Sequence, residues 1–291
     1  MRGNKFMNMI GKRGIVIGLL LAMLFSATHQ GMVSYAETDP DDEFVEEDPI
    51  TFKDKQGLTY STLSTAKTIY DPTSTIEVSI AVEDNGKVSG KIVVPANITY
   101  PKTGKNYKVV AGSMGFGDCK GMTGLVLPAS WKAVPGLFCA RCENLKSVTL
   151  KASSVKIIDD GAFWGCHKLT TIKNIQKVKE IGPDAFLDCF SLKKLKLDQV
   201  VSIDDKAFQG CKKLKTITIG KKFKELGSFA FSRCKKLKTI TIKSTKLKKV
   251  SKTAFKNTSQ KITIKVPKKK LSAYKKLFKN KGNKKVVVKA A

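Results

Sequence analysis

The sequence predicts a solenoid, in which short parallel β-strands coil with a compact second side, and three observations support this. Similar segments follow one another between residues 115 and 264. Six of them carry a cysteine, and successive cysteines are 23, 24, 23, 22 and 23 residues apart. A hydrophobic residue recurs three residues after each cysteine and another eight residues before it. A unit this short cannot enclose its own core, so stacked copies must share one.

Within each unit, the stretch after the cysteine has the alternation of a β-strand. In the segment LKTITI, Leu214, Ile217 and Ile219 are expected to point inward. Thr216 and Thr218 alternate outward, and the segment is rich in the β-branched residues that favour strands. The six equivalent cysteines are Cys119, Cys142, Cys166, Cys189, Cys211 and Cys234.

These units resemble a known repeat. AFWGCHKLTTI (162–172) and AFQGCKKLKTITI (207–219) are similar to AFxGCxxLxxIxIPxxVxxIGxx, the unit of the BspA-type leucine-rich repeat family of bacterial surface proteins. The resemblance covers about residues 105–266. It implies a curved, right-handed leucine-rich repeat solenoid with a short helical or irregular second side, which binds proteins or polymers outside the cell, often as an adhesin. This chain has few Ile-Pro steps and far more lysine than that pattern, so no single member's ligand is transferred to it.

The remaining residues predict export and two caps. Residues 1–36 have a basic start, an apolar run and a Ser-Tyr-Ala end, as in a signal peptide. The run is too short to span a bilayer, so the mature chain is expected to be secreted without a transmembrane span, and to be either released or held non-covalently at the cell wall or surface. Residues 37–50 are an acidic, disordered leader. Residues 51–104 alternate as a β-rich N-terminal cap, about seven repeats of 22–24 residues fill 105–266, and 267–291 form a basic capping helix and tail.

The cysteines have a structural explanation. A cysteine once per turn is most simply a small, buried side chain stacked on its copies. The seventh, Cys139, aligns either with the repeat phenylalanine, leaving Phe138 in the alanine position, or beside Phe138 across a one-residue gap. His167 is expected to point away from Cys166, and no zinc signature, phosphate-binding glycine motif or nucleophile elbow is present. The sequence therefore predicts no catalytic residue, no metal site, no cofactor and no enzyme activity.

The positive charge is concentrated in the last third of the chain. The formal net charge is +30, and residues 191–291 hold 32 basic residues against four acidic ones. Stacking would align lysines of successive repeats about 4.8 Å apart, which predicts either an anion-binding track or a solvated coat. Trp164, which follows the repeat phenylalanine where other copies have Gln209 or Ser232, is either a second binding contact or a partly packed aromatic residue. The predicted binding residues are Lys193, Lys194, Lys196, Lys212, Lys213, Lys215, Lys235, Lys236, Lys238 and Trp164.

Lysine is a flexible point charge, so such a track should recognise charge density rather than base sequence. The expected partner is an extracellular protein or an anionic glycan or teichoic-acid-like polymer, and sequence-specific nucleic acid is not expected. Repeats one to three, which vary more, are expected to meet the specific partner. The alternative is a passive structural protein held on the wall by charge alone, without a receptor.

Overall fold

The structure, a computed structural model, describes residues 51–56, 58–62, 77–81, 86, 88–110, 115–151, 155–258 and 261–291. The predicted signal peptide and acidic leader lie outside these residues. Within them the chain forms a β-solenoid of about seven turns, which confirms the predicted fold class. The helices of the described residues are all too short or too polar to cross a membrane.

The N-terminal strands form a separate sheet, except for one that joins the solenoid. The strands are β1 (Thr51–Lys53), β2 (Thr59–Thr62), β3 (Glu77–Ala81), β4 (Ser89–Val93), β5 (Asn97–Thr99) and β6 (Asn106–Val110). The separate sheet has the order β1-β2-β3-β6-β5. Strand β4 instead pairs in parallel with β7 (Gly121–Leu127), so the first strand of the repeat sheet already belongs to the predicted cap.

Two rows of parallel strands run along the solenoid. The long-strand face continues from β4 and β7 with β9 (Ser147–Leu150), β11 (Thr171–Lys173), β13 (Lys194–Leu197), β15 (Thr216–Ile219), β17 (Thr239–Ile242), β19 (Ile262–Val266) and β20 (Val286–Ala290). The short-strand row on the second side contains β8 (Ala133–Val134), β10 (Ile157–Ile158), β12 (Glu180–Ile181), β14 (Ser202–Ile203), β16 (Glu225–Leu226) and β18 (Lys249–Val250). The short-strand row is one 6-stranded sheet, whereas the long-strand face is divided into two sheets between β11 and β13.

The core between the two rows consists of stacked side chains. Leu214, Ile217 and Ile219 are at most 1% exposed, as the alternation of strand β15 predicts. The phenylalanine rings of successive repeats are parallel, with centroid separations of 5.5 Å for Phe163–Phe186 and 5.3 Å for Phe186–Phe208. Each repeat therefore completes its core only against its neighbours.

The cysteines form a row of hydrogen bonds as well as a packed row. The Cys189 thiol donates to the Phe163 carbonyl of the preceding repeat at 3.2 Å, and Cys211 donates to Phe186 at 3.3 Å. The same bond recurs at Cys142, Cys166 and Cys234. All seven cysteines are free and buried. A thiol suits this position because it is small and apolar yet supplies one donor to a buried carbonyl.

The backbone register decides between the two alignments of Cys139. The Cys139 amide donates to the Ala162 carbonyl, as the Phe163 amide does to Ala185 one repeat later. Cys139 therefore occupies the phenylalanine position. Phe138 fills the alanine position, where its ring meets Phe116 edge-on at 5.1 Å.

The C-terminal end is closed by a helix, and one more strand follows it. Helix α1 (Leu271–Phe278) buries Tyr274 and Phe278, and Phe278 continues the ring stack at 6.2 Å from Phe255. The Tyr274 hydroxyl donates to the Ser244 carbonyl. Strand β20 then pairs in parallel with β19, which the sequence analysis did not predict.

Removing one phenylalanine ring from the stack should destabilise the whole solenoid. We expect Phe208→Ala to lower the free energy of unfolding by about 3–5 kcal/mol, because the cavity lies between two neighbouring rings and cannot collapse. Chemical denaturation followed by circular dichroism measures this. Lys213→Ala, at an exposed position of the same repeat, is the control. A similar loss in both variants would contradict the shared core.

Candidate functional site

Three predicted binding lysines form a continuous row beside the long-strand face. The Lys215 amide donates to the Lys193 carbonyl at 2.8 Å, and the Lys238 amide donates to the Lys215 carbonyl at 2.9 Å. All three side chains are exposed. Their backbones are thus adjacent in successive turns, and their charges cannot separate by more than the side chains allow.

Two further rows follow from the same register. Strands β15 and β17 pair with an offset of 23 residues, as in Thr216↔Thr239. This offset places Lys212 beside Lys235 and Lys213 beside Lys236, all exposed. The name lysine rows is used below for Lys193, Lys212, Lys213, Lys215, Lys235, Lys236 and Lys238.

Lys194 and Lys196 lie on the long-strand face itself. They are in register with Thr216 and Thr218 of β15, whose half-buried side chains share that face. The Lys196 ammonium lies 3.2 Å from the Asp198 carboxylate, so one of the two charges has a local counter-ion. This face therefore combines hydroxyl groups with ammonium groups.

Trp164 lies in repeat three, outside the lysine rows. It is 38% exposed, and the 37%-exposed Leu137 lies beside the same turn. A Cβ added at Gly161 would lie 2.6 Å from Leu137 and 3.9 Å from the Trp164 Cβ, so the glycine lets these apolar side chains approach. Trp164 and Leu137 therefore form a small apolar patch that is separate from the lysine rows.

A stack across repeats three to five was missed by the sequence analysis. The His167 and Phe190 rings are parallel at 4.4 Å, and the Lys212 ammonium lies 3.8 Å from the Phe190 centroid. All three follow the repeat cysteine directly, and this shared position was the available signal. Lys212 therefore has a cation–π contact that fixes one end of its row.

A second missed feature is two pairs of stacked lysines on the short-strand side, with Val201 between the pairs. The Lys179 amide donates to the Lys156 carbonyl, and the Lys248 amide to the Lys224 carbonyl. Here acidic residues alternate with the lysines, because Glu180 and Glu225 follow Lys179 and Lys224 directly. The short-strand side is therefore partly neutralised, whereas the lysine rows have few acidic neighbours.

Two adjacent aspartates, Asp204 and Asp205, lie on this short-strand side directly after strand β14. Asp204 and Asp205 border an open cavity of about 220 Å³. Burial raises the pKa of Asp204, and the carboxylates of Asp205, Glu180 and Glu225 raise it further. Lys249 acts in the opposite direction. The described residues contain no cluster of three side chains suited to a metal ion.

Neutralising Asp204 should stabilise the fold at neutral pH. A raised carboxyl pKa means that the folded state binds the proton more tightly than the unfolded state, so stability falls as pH rises through that pKa. We expect Asp204→Asn to raise the free energy of unfolding at pH 7 and to have little effect at pH 3. Denaturant titrations at both values measure this. Asp205→Asn relieves the repulsion between the two carboxylates but also weakens the hydrogen bond from the Ser228 amide, so it should stabilise less than Asp204→Asn.

Cys166 and His167 diverge, as predicted. The Cys166 thiol is fully buried and donates to the Cys139 carbonyl at 3.1 Å, whereas the His167 ring lies against Phe190. Burial raises the pKa of the Cys189 thiol and that of the Cys211 thiol well above the ordinary value for cysteine. This environment disfavours thiolate formation and thus nucleophilic chemistry.

Thiol titration tests this description of the core. We expect the native protein to react negligibly with a chromogenic disulfide reagent at pH 8 over minutes, because the thiols are buried and protonated. After unfolding in guanidinium, all seven should react. Fewer than seven reactive thiols in the unfolded, unreduced protein would show that disulfides join some of the cysteines.

The chain matches known repeat proteins along most of its length. The model of the BspA type leucine rich repeat region matches in six copies over residues 96–209 and 179–290. A leucine rich cell surface protein of Faecalibacterium prausnitzii is 21% identical, with 76% of this chain and 71% of that one covered and a TM-score of 0.49. A leucine-rich repeat protein of Bacteroides ovatus is 22% identical, with coverages of 71% and 69% and a TM-score of 0.41.

A leucine rich repeat protein of T. pallidum is 20% identical over 64% of this chain and 90% of that one, with a TM-score of 0.42. No curated protein sequence matches the chain. The match to the family model thus rests on the repeats, whose geometry is described above.

Proposed function

Because the chain belongs to the BspA-type leucine-rich repeat family, whose repeats serve as interaction modules, we propose that it is an extracellular, adhesin-like binding protein that holds an anionic partner on its lysine rows. The observation that carries this proposal is the alignment of exposed lysines in successive turns, as at Lys193, Lys215 and Lys238. The proposal includes export through residues 1–36 and no catalysis.

Electrostatics favours a bound anion. Two unit charges about 5 Å apart repel by roughly 0.8 kcal/mol even at the dielectric constant of water. The backbone ladder keeps Lys193, Lys215 and Lys238 in neighbouring turns, so only side-chain reorientation, salt or a bound anion can relieve the repulsion. A polyanion that spans several turns relieves it at each step and releases its own counter-ions.

Lysine chemistry indicates a partner recognised by charge density. An ammonium group lacks the planar fork with which arginine binds phosphate or a base edge in two places. The lysine rows therefore suit a repeating anionic polymer, such as a teichoic-acid-like chain or an acidic glycan, or an acidic protein surface. Base-specific nucleic acid recognition is not part of the proposal.

Repeats one to three supply a second, more specific contact in this proposal. Trp164 and Leu137 are large apolar side chains exposed near one turn, and an exposed aromatic residue is a frequent anchor in protein interfaces. The apolar patch and the lysine rows are in different repeats. A partner could therefore engage one surface without the other, and ionic strength separates the two modes.

Charge removal at the lysine rows tests the proposal. We expect Lys193→Gln/Lys215→Gln/Lys238→Gln to weaken binding to a poly(glycerol phosphate) polymer and to heparin. The slope of log affinity against log salt concentration should fall by about 2, the value for three lost phosphate contacts on a flexible chain. Isothermal titration calorimetry at several salt concentrations measures both quantities.

The matched control removes the same charge from the short-strand side, in Lys179→Gln/Lys224→Gln/Lys248→Gln. We expect this variant to bind nearly as wild type. Equal losses in both triple variants would mean that net charge alone holds the protein, which is the passive alternative. No loss in either would contradict binding through the lysine rows.

A further inference from the structure

The long-strand face contains an internal opening between repeats three and four. Strands β11 and β13 belong to different sheets, although the repeats on either side pair in register. Strand β13 packs instead against the 3-10 turn Ile175–Lys177. The opening between β11 and β13, beside this turn, is called the notch below.

The notch begins at Asn174. Leu150, Leu197 and Ile219 end the strand in other repeats, but Asn174 occupies this position in repeat three. It adopts a left-handed conformation with φ of 69°, and its side-chain amide donates to the Leu150 carbonyl at 2.8 Å. Asparagine tolerates this conformation better than a β-branched residue does. Asn174 therefore ends β11 early and directs the chain away from the long-strand face.

Burial shows that the notch reaches the edge of the core. Ile172 and Leu195, the inward residues of β11 and β13, are each 8% exposed. The equivalent residues of complete neighbouring strands are at most 1% exposed, namely Val148, Ile217 and Ile240. The gap is confined to this face, because Phe163 and Phe186 remain stacked and β12 pairs with β14.

The backbone of β13 presents an unused edge to the notch. Lys215 donates to the Lys193 carbonyl and Gly220 to the Leu197 carbonyl, so these residues face β15. Backbone groups alternate along a strand, which directs those of Lys194 and Lys196 towards the notch. Among the described residues, no backbone hydrogen bond joins β11 to β13.

We propose that the β13 edge in the notch binds an extended, acidic peptide segment of a partner protein by strand addition. The amides and carbonyls of Lys194 and Lys196 repeat every second residue, which is the spacing of a peptide backbone and not of a single anion. The proposal rests on the proposed function in that Lys194 and Lys196 also serve as anion-binding lysines.

Side-chain directions define the sequence of this peptide. Lys173, Lys194 and Lys196 are exposed on the face, so incoming side chains on that side must be acidic. Incoming side chains on the other side meet Ile172 and Leu195 and must be apolar. The partner segment therefore alternates acidic and apolar residues, and a second copy of the basic half is disfavoured by charge repulsion.

The decisive experiment separates the backbone amide from the charge. Titrate the full chain with an acetylated, alternating Glu-Val octapeptide and compare Lys194→Gln with Lys194→Pro. Both variants remove the charge, but only proline also removes the amide that faces the notch, without loss of a bond to β15. We expect Lys194→Gln to weaken binding about threefold and Lys194→Pro about tenfold more.

Two further measurements test the proposal even if Lys194→Pro disturbs the fold. In the wild type, the peptide should slow hydrogen exchange at the Lys194 and Lys196 amides. Lys224→Gln, which removes an equal charge from the short-strand side, should leave peptide affinity within about twofold. Equal affinities for the two Lys194 variants, or unchanged exchange at both amides, would overturn strand addition.

Polymer binding distinguishes this failure from failure of the proposed function. If heparin binds through the lysine rows while the octapeptide does not bind, the notch proposal is wrong and the lysine rows retain their role. If the octapeptide protects the two amides while the lysine-row variants bind polymer as wild type does, the proposed function of the lysine rows is wrong and the notch proposal stands. Heparin that protects the same two amides would assign the notch to the polymer and overturn the peptide proposal.

Discussion

Register between turns is the constraint on which the rest of this structure depends. Successive turns are tied together by strand pairing, by ring stacking and, at five cysteines, by a thiol that donates to a carbonyl of the preceding turn, as Cys189 does to Phe163. The Phe163 carbonyl also accepts the Cys166 amide at 3.2 Å, so the thiol supplies a second hydrogen bond to an acceptor with two lone pairs. The recurring geometry therefore favours a small, apolar side chain with one donor at this position, and cysteine meets all three needs.

The same register determines the surface charge pattern. A residue type that recurs at one repeat position becomes a row, whether or not its members attract one another. On the short-strand side, Glu180 and Glu225 lie beside Lys179 and Lys224, so the rows partly compensate. Beside the long-strand face the lysines have few acidic neighbours, so side-chain reorientation, salt or a bound anion must relieve the repulsion. Binding of an anionic partner would thus remove a repulsion that folding imposes.

Periodic features were predictable from the sequence and local departures were not. Equal spacing predicts the cysteine row and the buried Leu214 and Ile217, and the sequence after the last repeat predicts a capping helix. The notch escaped prediction because it depends on the left-handed backbone of one residue, Asn174. Strand β20 escaped because a short apolar run has no alternation of its own, and its assignment comes only from pairing with β19.

The position of the notch links these two kinds of feature. Repeats one to three carry Trp164 and mixed charges, whereas the chain from residue 191 onward carries 32 bases and four acids. The sheet of the long-strand face is interrupted between Lys173 and Lys194, at this same boundary. The short-strand row and the ring stack cross the boundary unbroken, so the two parts keep a common core. The solenoid therefore carries two chemically different surfaces on one framework, and the unpaired strand edge lies where they meet.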